Sequence, residues 1–167
     1  MIFETERLIL REMDENDTEL LFKVFGDPDN MCYYPYIFDE ARVENWIRTN
    51  IERYRVFGFG LWGVCLKDNY ELIGDCGLTM QNINGFIRPE IGYHIRADLQ
   101  RKGYAKEAAT AVRDWAFAHT PFKVLYSYMR EDNIASAKTA ESVGMKFFDK
   151  YTDDNGYISL VYAIHRE

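Results

Sequence analysis

Apolar positions along this chain change period several times, and each change marks an element. Helical spacing is clearest at Ala105, Ala108, Ala109, Val112, Trp115 and Ala116, which fall at i, i+3, i+4, i+7, i+10 and i+11. These share one face of a helix predicted over residues 105–118. Leu20, Leu21, Val24 and Phe25 give a shorter helix, with Asp14 or Asp17 as its cap and Gly26-Asp27-Pro28 as its end. A longer one over residues 40–54 turns Val43, Trp46, Ile47 and Ile51 inward. A last helix opens at Asn133, runs through Ala137, Ala140 and Val143, and stops at Gly144, a left-handed C-terminal cap.

Between the helices the pattern is that of strands. Residues 7–11, 59–66, 71–80, 88–95, 124–130, 146–151 and 157–164 are short apolar or alternating runs bounded by polar turns. Lys67-Asp68-Asn69, Asn82-Ile83-Asn84-Gly85 and Asp153-Asp154-Asn155-Gly156 are three of those turns. In the run 88–95, Glu90, Gly92 and His94 share one face, and Ile91, Tyr93 and Ile95 the other. Residues 31–38, with Tyr33, Tyr34, Tyr36 and Phe38 around Pro35, predict a loop or short helix beside a substrate. The order of elements is mixed α/β: a largely antiparallel sheet of about seven strands with helices on both faces. It lacks the regular β-α alternation of a dinucleotide-binding fold.

Composition narrows the class. At 167 residues with 47% hydrophobic and 16% aromatic content, the chain predicts one folded domain over 1–167 with a proper core. Its first residues resemble neither a signal peptide nor a transit sequence, and no apolar run is long enough to span a bilayer. A cytoplasmic protein that does not bind membranes is the expectation. Cys32, Cys65 and Cys76 show no C-x-x-C spacing, and His94, His119 and His165 show no metal-ligand spacing. The cysteines therefore read as small hydrophobes, and no metal is expected. A net charge of −7 argues against nucleic acid as partner and is compatible with a cationic substrate.

The chemistry concentrates in Gln100-Arg101-Lys102-Gly103-Tyr104-Ala105, between a strand and the clearest helix. A glycine turn feeding a helix N-terminus points several N–H groups and the positive end of the helix dipole one way, which suits a phosphate or diphosphate. Gly103 and Ala105 let a ligand approach the backbone, and Arg101 and Lys102 add charge. Neither G-x-G-x-x-G nor the P-loop pattern is present, so phosphoryl transfer from a nucleotide lacks its cradle.

The pattern Gln/Arg-x-x-Gly-x-Gly/Ala in this setting resembles the acyl-coenzyme-A signature of the GNAT (general N-acetyltransferase) superfamily. The resemblance spans the chain. Thr5-Glu6-Arg7-Leu8-Ile9-Leu10-Arg11 resembles the opening of its RimJ/RimL-like branch, the ribosomal-protein N-terminal acetyltransferases. Gly58 to Trp62, Ile73-Gly74-Asp75-Cys76-Gly77-Leu78 and Glu90-Ile91-Gly92-Tyr93-His94-Ile95 resemble its successive strands. Asn133-x-x-Ser136 and Val143-Gly144-Met145 resemble its downstream segment.

That resemblance implies a cleft between two splayed parallel strands, those at 88–95 and 124–130. It implies acetyl-CoA as donor, its pantetheine arm along Tyr93, His94 and Ile95 and its diphosphate on residues 101–105, with Gln100 opening the signature. Asn133 is implied to bond the cofactor, although a helix cap explains that residue equally well. Acetyl transfer to a primary amine needs a base for the ammonium proton and an acid for the departing thiolate. Glu90 is the first candidate base, His94 the second, and an exposed strand charge the bland reading of Glu90. Many superfamily members carry a tyrosine seven residues after the asparagine, where this chain has Ala140. Ser136 is the candidate acid in its place, against a purely local backbone bond. The acceptor stays open between a protein N-terminus and a small-molecule amine, and the oligomeric state between monomer and a homodimer paired through an exposed last strand. A non-catalytic acyl-CoA-binding or sensing module is the alternative function.

Overall fold

The computed structural model describes residues 2–167. In chain order the strands are β1 (Ile2–Glu4), β2 (Leu8–Arg11), β3 (Leu61–Leu66), β4 (Leu72–Ile83), β5 (Phe86–Ile95), β6 (Val124–Arg130), β7 (Lys146–Thr152) and β8 (Ile158–His165). The helices are α1 (Thr18–Phe25), α2 (Glu40–Phe57), α3 (Tyr104–His119) and α4 (Ile134–Ser142).

The strands form one eight-stranded sheet in the order β1-β2-β3-β4-β5-β6-β8-β7. Neighbours run antiparallel except β5 and β6, which are parallel and pair at Glu90↔Tyr126 alone among the described residues. By contrast β4 and β5 stay paired from Gly74↔Ile95 to Ile83↔Phe86. The sheet is thus continuous at the foot of β5 and open beyond Glu90. Gly74 permits the tight β4–β5 approach, since a Cβ there would stand 1.9 Å from the His94 carbonyl oxygen.

Each face of the sheet carries helices. On one side Leu8, Leu10, Trp62, Val64, Ile73, Leu78 and Ile91 pack with Ala108, Ala109, Val112 and Ala116 of α3 and Ala137 and Ala140 of α4. On the other, Leu61, Cys65 and Leu72 meet Leu21, Val24 and Phe25 of α1 and Val43 and Ile47 of α2. The small residues that mark the apolar stripe of α3 let that helix lie close to the sheet, and bulk comes from Trp62, fully buried against Trp115 at 4.8 Å between centroids. Asp39 caps α2 through the Arg42 N–H, and Gly58 closes it at φ 74°. Asp14 caps a 3-10 turn (Glu15–Asp17), and α1 starts only after it.

Two expectations change. The sheet has eight strands where the pattern gives about seven, because β1 is only three residues long, too short to show alternation. The last strand is not the exposed edge: β8 lies between β6 and β7, which leaves β7 outermost. Residues 31–38 are a loop of turns, tied down by Phe38 N–H to Phe25 O (3.1 Å).

Candidate active site

The gap between β5 and β6 opens into a cavity of about 420 Å³. Its walls combine Glu90, Gly92, Tyr93 and His94 of β5 with Ser127, Tyr128 and Arg130 of β6. Asn133 and Ser136 close one side, and Tyr33, Tyr34 and Trp46 another. Alternation along β5 sends Glu90 and His94 toward the α1–α2 side and Tyr93 toward α4, so the cavity joins the two faces of the sheet.

Glu90 lies on the cavity wall and accepts a hydrogen bond from Thr79 Oγ1 (2.9 Å). Burial pushes its pKa up, against the Thr79 bond and the positive influence of His94 and Arg53. His94 Nδ1 stands 2.7 Å from Asp75 Oδ1. Burial works to lower the His94 pKa, but Asp75, through charge and hydrogen bond, and Glu90 outweigh it, so the value is raised. Asp75 is fully buried, and its other oxygen accepts from Trp46 Nε1 at 2.8 Å.

On the opposite side Tyr93 Oη donates to the Ser136 carbonyl oxygen (2.8 Å) and accepts from Ser136 Oγ (3.3 Å). Burial lifts the Tyr93 hydroxyl to about 12, with Ser136 and Ser127 pulling the other way. Ala140 is packed in the core. Tyr93 of β5 brings its own hydroxyl to Ser136 of α4. Asn133 caps α4, its Oδ1 accepting from the Ser136 N–H (3.2 Å), and its side chain lines the cavity.

The loop 100–105 lies outside this cavity, at the N-terminus of α3. Gly103 is the cap residue at φ 83°, a left-handed conformation, and brings no side-chain cap. The first intrahelical bond is Glu107 N–H to Gly103 O (3.0 Å), which leaves the N–H groups of Tyr104, Ala105 and Lys106 without an intrahelical acceptor. Arg101 and Lys102 are exposed there. Gln100 is exposed, but its Nε2 donates to Ile95 O (3.0 Å) and to Asn30 Oδ1 (2.5 Å), tying the loop to the end of β5. Ile95 itself is buried. An uncapped helix start beside two cations, in line with a strand edge that has lost its partner, fits an acyl-CoA: a diphosphate at one end, an amide-bearing arm along the other.

Sequence reasoning finds the residues of β5, the loop and α4, and the structure brings Glu90, Tyr93, His94, Asn133 and Ser136 to one cavity. It misses three things. Arg7 anchors the loop, its Nη1 donating to Lys102 O (2.9 Å) and its Nε pairing with Glu107 Oε2 (2.7 Å), while Thr5 Oγ1 donates to Glu107 Oε1 (2.6 Å). Trp46 is read as core but bonds Asp75. Asp75 itself carries a legible signal, a charge in the apolar run Leu72 to Leu78, which demands a partner once buried.

Residues 7–146 match the family model described as an acetyltransferase (GNAT) domain. A Bacillus subtilis protein, the uncharacterized YkkB, is 34% identical over 144 residues, covering 86% of this chain and 84% of its own length. The crystal structure of an acetyltransferase from Agrobacterium tumefaciens is similar at TM-score 0.85 and 26% identity, over 99% of this chain and 95% of that one. The fold is also that of RimL, a ribosomal L7/L12 alpha-N-protein acetyltransferase solved in complex with coenzyme A (TM-score 0.81, 18% identity, 99% of this chain and 98% of that one). The chain belongs to the GNAT acetyltransferase family. Among the described residues, no helix is long and apolar enough to cross a membrane.

Proposed function

We propose that residues 1–167 act as one domain that transfers acetyl directly from acetyl-CoA to a primary amine in a ternary complex, in the cytoplasm, without metal, nucleic acid or membrane. The observation that carries this reading is the single β5–β6 pairing at Glu90↔Tyr126, which opens a cavity with a carboxylate on one side of the sheet and a hydroxyl pair on the other.

Acetyl-CoA supplies an activated acyl group as a thioester, and the protein supplies position and proton transfer. The N–H groups at the start of α3, with Arg101 and Lys102, hold the diphosphate; Gly103 keeps the backbone accessible. The unpaired edge of β5 along Tyr93, His94 and Ile95 holds the pantetheine arm, and Asn133 borders it. Glu90 takes the proton of the acceptor ammonium, directly or through water, so that the amine lone pair is free to attack. A carboxylate with a raised pKa is better matched to that task than an exposed one. Ser136 gives a proton to the departing thiolate. In the resting arrangement its hydroxyl donates to Tyr93 Oη at 3.3 Å, and it turns from that acceptor toward the thiolate.

The acceptor is a protein N-terminus or a small-molecule amine. The two are separated by assaying coenzyme A thiol release against a panel of amines and of peptides with free α-amines, with product mass confirming transfer. Turnover with any primary amine, lost in Glu90→Gln, is the expected result. Acetyl-CoA binding without turnover on any acceptor would instead identify a sensing module.

A further inference from the structure

The residues that surround Glu90 form a charge arrangement larger than one base. Asp75 is fully buried in the middle of β4, with its partner in the β4–β5 ladder being His94. Both carboxylate oxygens are engaged, one by His94 Nδ1 (2.7 Å) and one by Trp46 Nε1 from α2 (2.8 Å). An ionised carboxylate without such partners is not tolerated at that depth. The His94 ring is fixed by more than this bond: Phe25, Tyr34 and Trp46 stand around it with centroids at 4.9, 5.4 and 6.1 Å. His94 still lines the cavity, on the same β5 face as Glu90. A salt bridge built only to hold α2 to the sheet does not require an imidazole that opens onto the cleft.

We propose that Trp46 and Asp75 are positioning residues that keep a proton and its positive charge on His94, and that this charge keeps Glu90 ionised as the base of the transfer reaction. The inference rests on the acetyltransferase reading for its consequence but not for its physical content. Asp75 favours imidazolium at His94 by both charge and hydrogen bond. The imidazolium offsets the penalty that burial places on the Glu90 carboxylate, and His94 has a larger influence there than Asp75 has directly. The other groups facing this pair are Thr79 of β4, Arg53 of α2, which also favours the Glu90 carboxylate, Tyr34 and Cys76 of β4, which sense both Asp75 and Glu90, and Tyr93 of β5 and Tyr128 of β6, which sense Glu90. Glu90 and His94 therefore titrate as a linked pair, with the proton resting on the imidazole.

Two readouts test this. The first is the titration of the His94 ring by NMR in the protein without cosubstrate, which does not depend on any acetyl acceptor. In wild type the ring titrates above the range of an unperturbed histidine; in Asp75→Asn its midpoint falls by about one pH unit or more. Trp46→Phe, which keeps an aromatic ring and removes the donor, moves it in the same direction by less and serves if Asp75→Asn does not fold. The second is the pH profile of kcat/KM. His94→Gln moves the acidic limb upward by about one unit, giving roughly tenfold loss near pH 6.5 that recovers at high pH. A His94 midpoint unmoved by Asp75→Asn and Trp46→Phe would overturn the proposal. So would a His94→Gln profile that is lowered uniformly without a shift. A wild type that acetylates no amine, with the NMR shifts as expected, would contradict the transfer reaction while leaving the charge relay standing.

Discussion

The two ends of the cleft are built in opposite ways. The loop at residues 100–105 is local: a glycine at φ 83°, two cations and an uncapped helix start, all within one short stretch of chain. The wall around Glu90 is assembled from β4, β5, β6, α2 and the loop 31–38, whose side chains meet only in the folded protein. The local end offers backbone N–H groups, so its chemistry tolerates change in side chains but not in conformation. The assembled end offers side chains with shifted proton affinities, so its chemistry depends on identity. A ligand common to many enzymes suits the first, and an acceptor particular to this one suits the second.

Substitutions should separate the ends by what they alter. The largest effect belongs to the assembled end. Glu90→Gln is isosteric and keeps an acceptor for Thr79, and it should lower kcat/KM about 10²- to 10⁴-fold with acetyl-CoA affinity unchanged, as read by thiol release and calorimetry. In wild type, activity should rise with pH as Glu90 ionises, at a pH above the usual carboxylate range because burial raises its pKa. Ser136→Ala should act on kcat rather than affinity, by about tenfold, and most at high pH where solvent supplies few protons.

A smaller effect comes from the anchor of the local end. Glu107 is partly buried, and although burial works to raise its pKa, the bonds from Thr5 and Arg7 win and leave it lowered. A depressed carboxylate contributes stability that is present above the unfolded glutamate range and lost as pH falls through the folded value. Glu107→Gln should therefore cost about 1–3 kcal/mol near neutral pH in denaturant unfolding, shrinking toward acid, with only a few-fold loss of acetyl-CoA affinity as the Arg7 hold on Lys102 O loosens. Equal loss of affinity and turnover from every one of these changes would erase the distinction between the ends.

The same contrast explains what the sequence makes legible. The α3 stripe, the Gly103 turn and the alternation of β5 are local periodicities, and the structure reproduces them within a residue or a few at their boundaries. The capping role of Asn133 and the cavity position of Glu90 follow from short motifs. Asp75 to Trp46 and Arg7 to Glu107 span 29 and 100 residues, so no window of sequence displays them. Tyr93 shows how alternation can mislead: its face is the one predicted, but its hydroxyl reaches past the apolar layer to Ser136. The position of β8 between β6 and β7 is likewise a matter of sheet order, which strand patterns do not encode.

The most direct measurement is calorimetric titration of acetyl-CoA into the wild type and into Gly103→Pro. Proline cannot adopt φ 83° and removes an N–H from the loop, while Gly103 itself packs against nothing closer than the Arg7 side chain at 3.3 Å from a built Cβ. Binding in the micromolar range, weakened about tenfold to hundredfold in a variant that still unfolds cooperatively, is the predicted result. Absence of binding by the wild type, or equal affinity in a folded Gly103→Pro, would contradict the assignment of the α3 N-terminus as the acyl-CoA site.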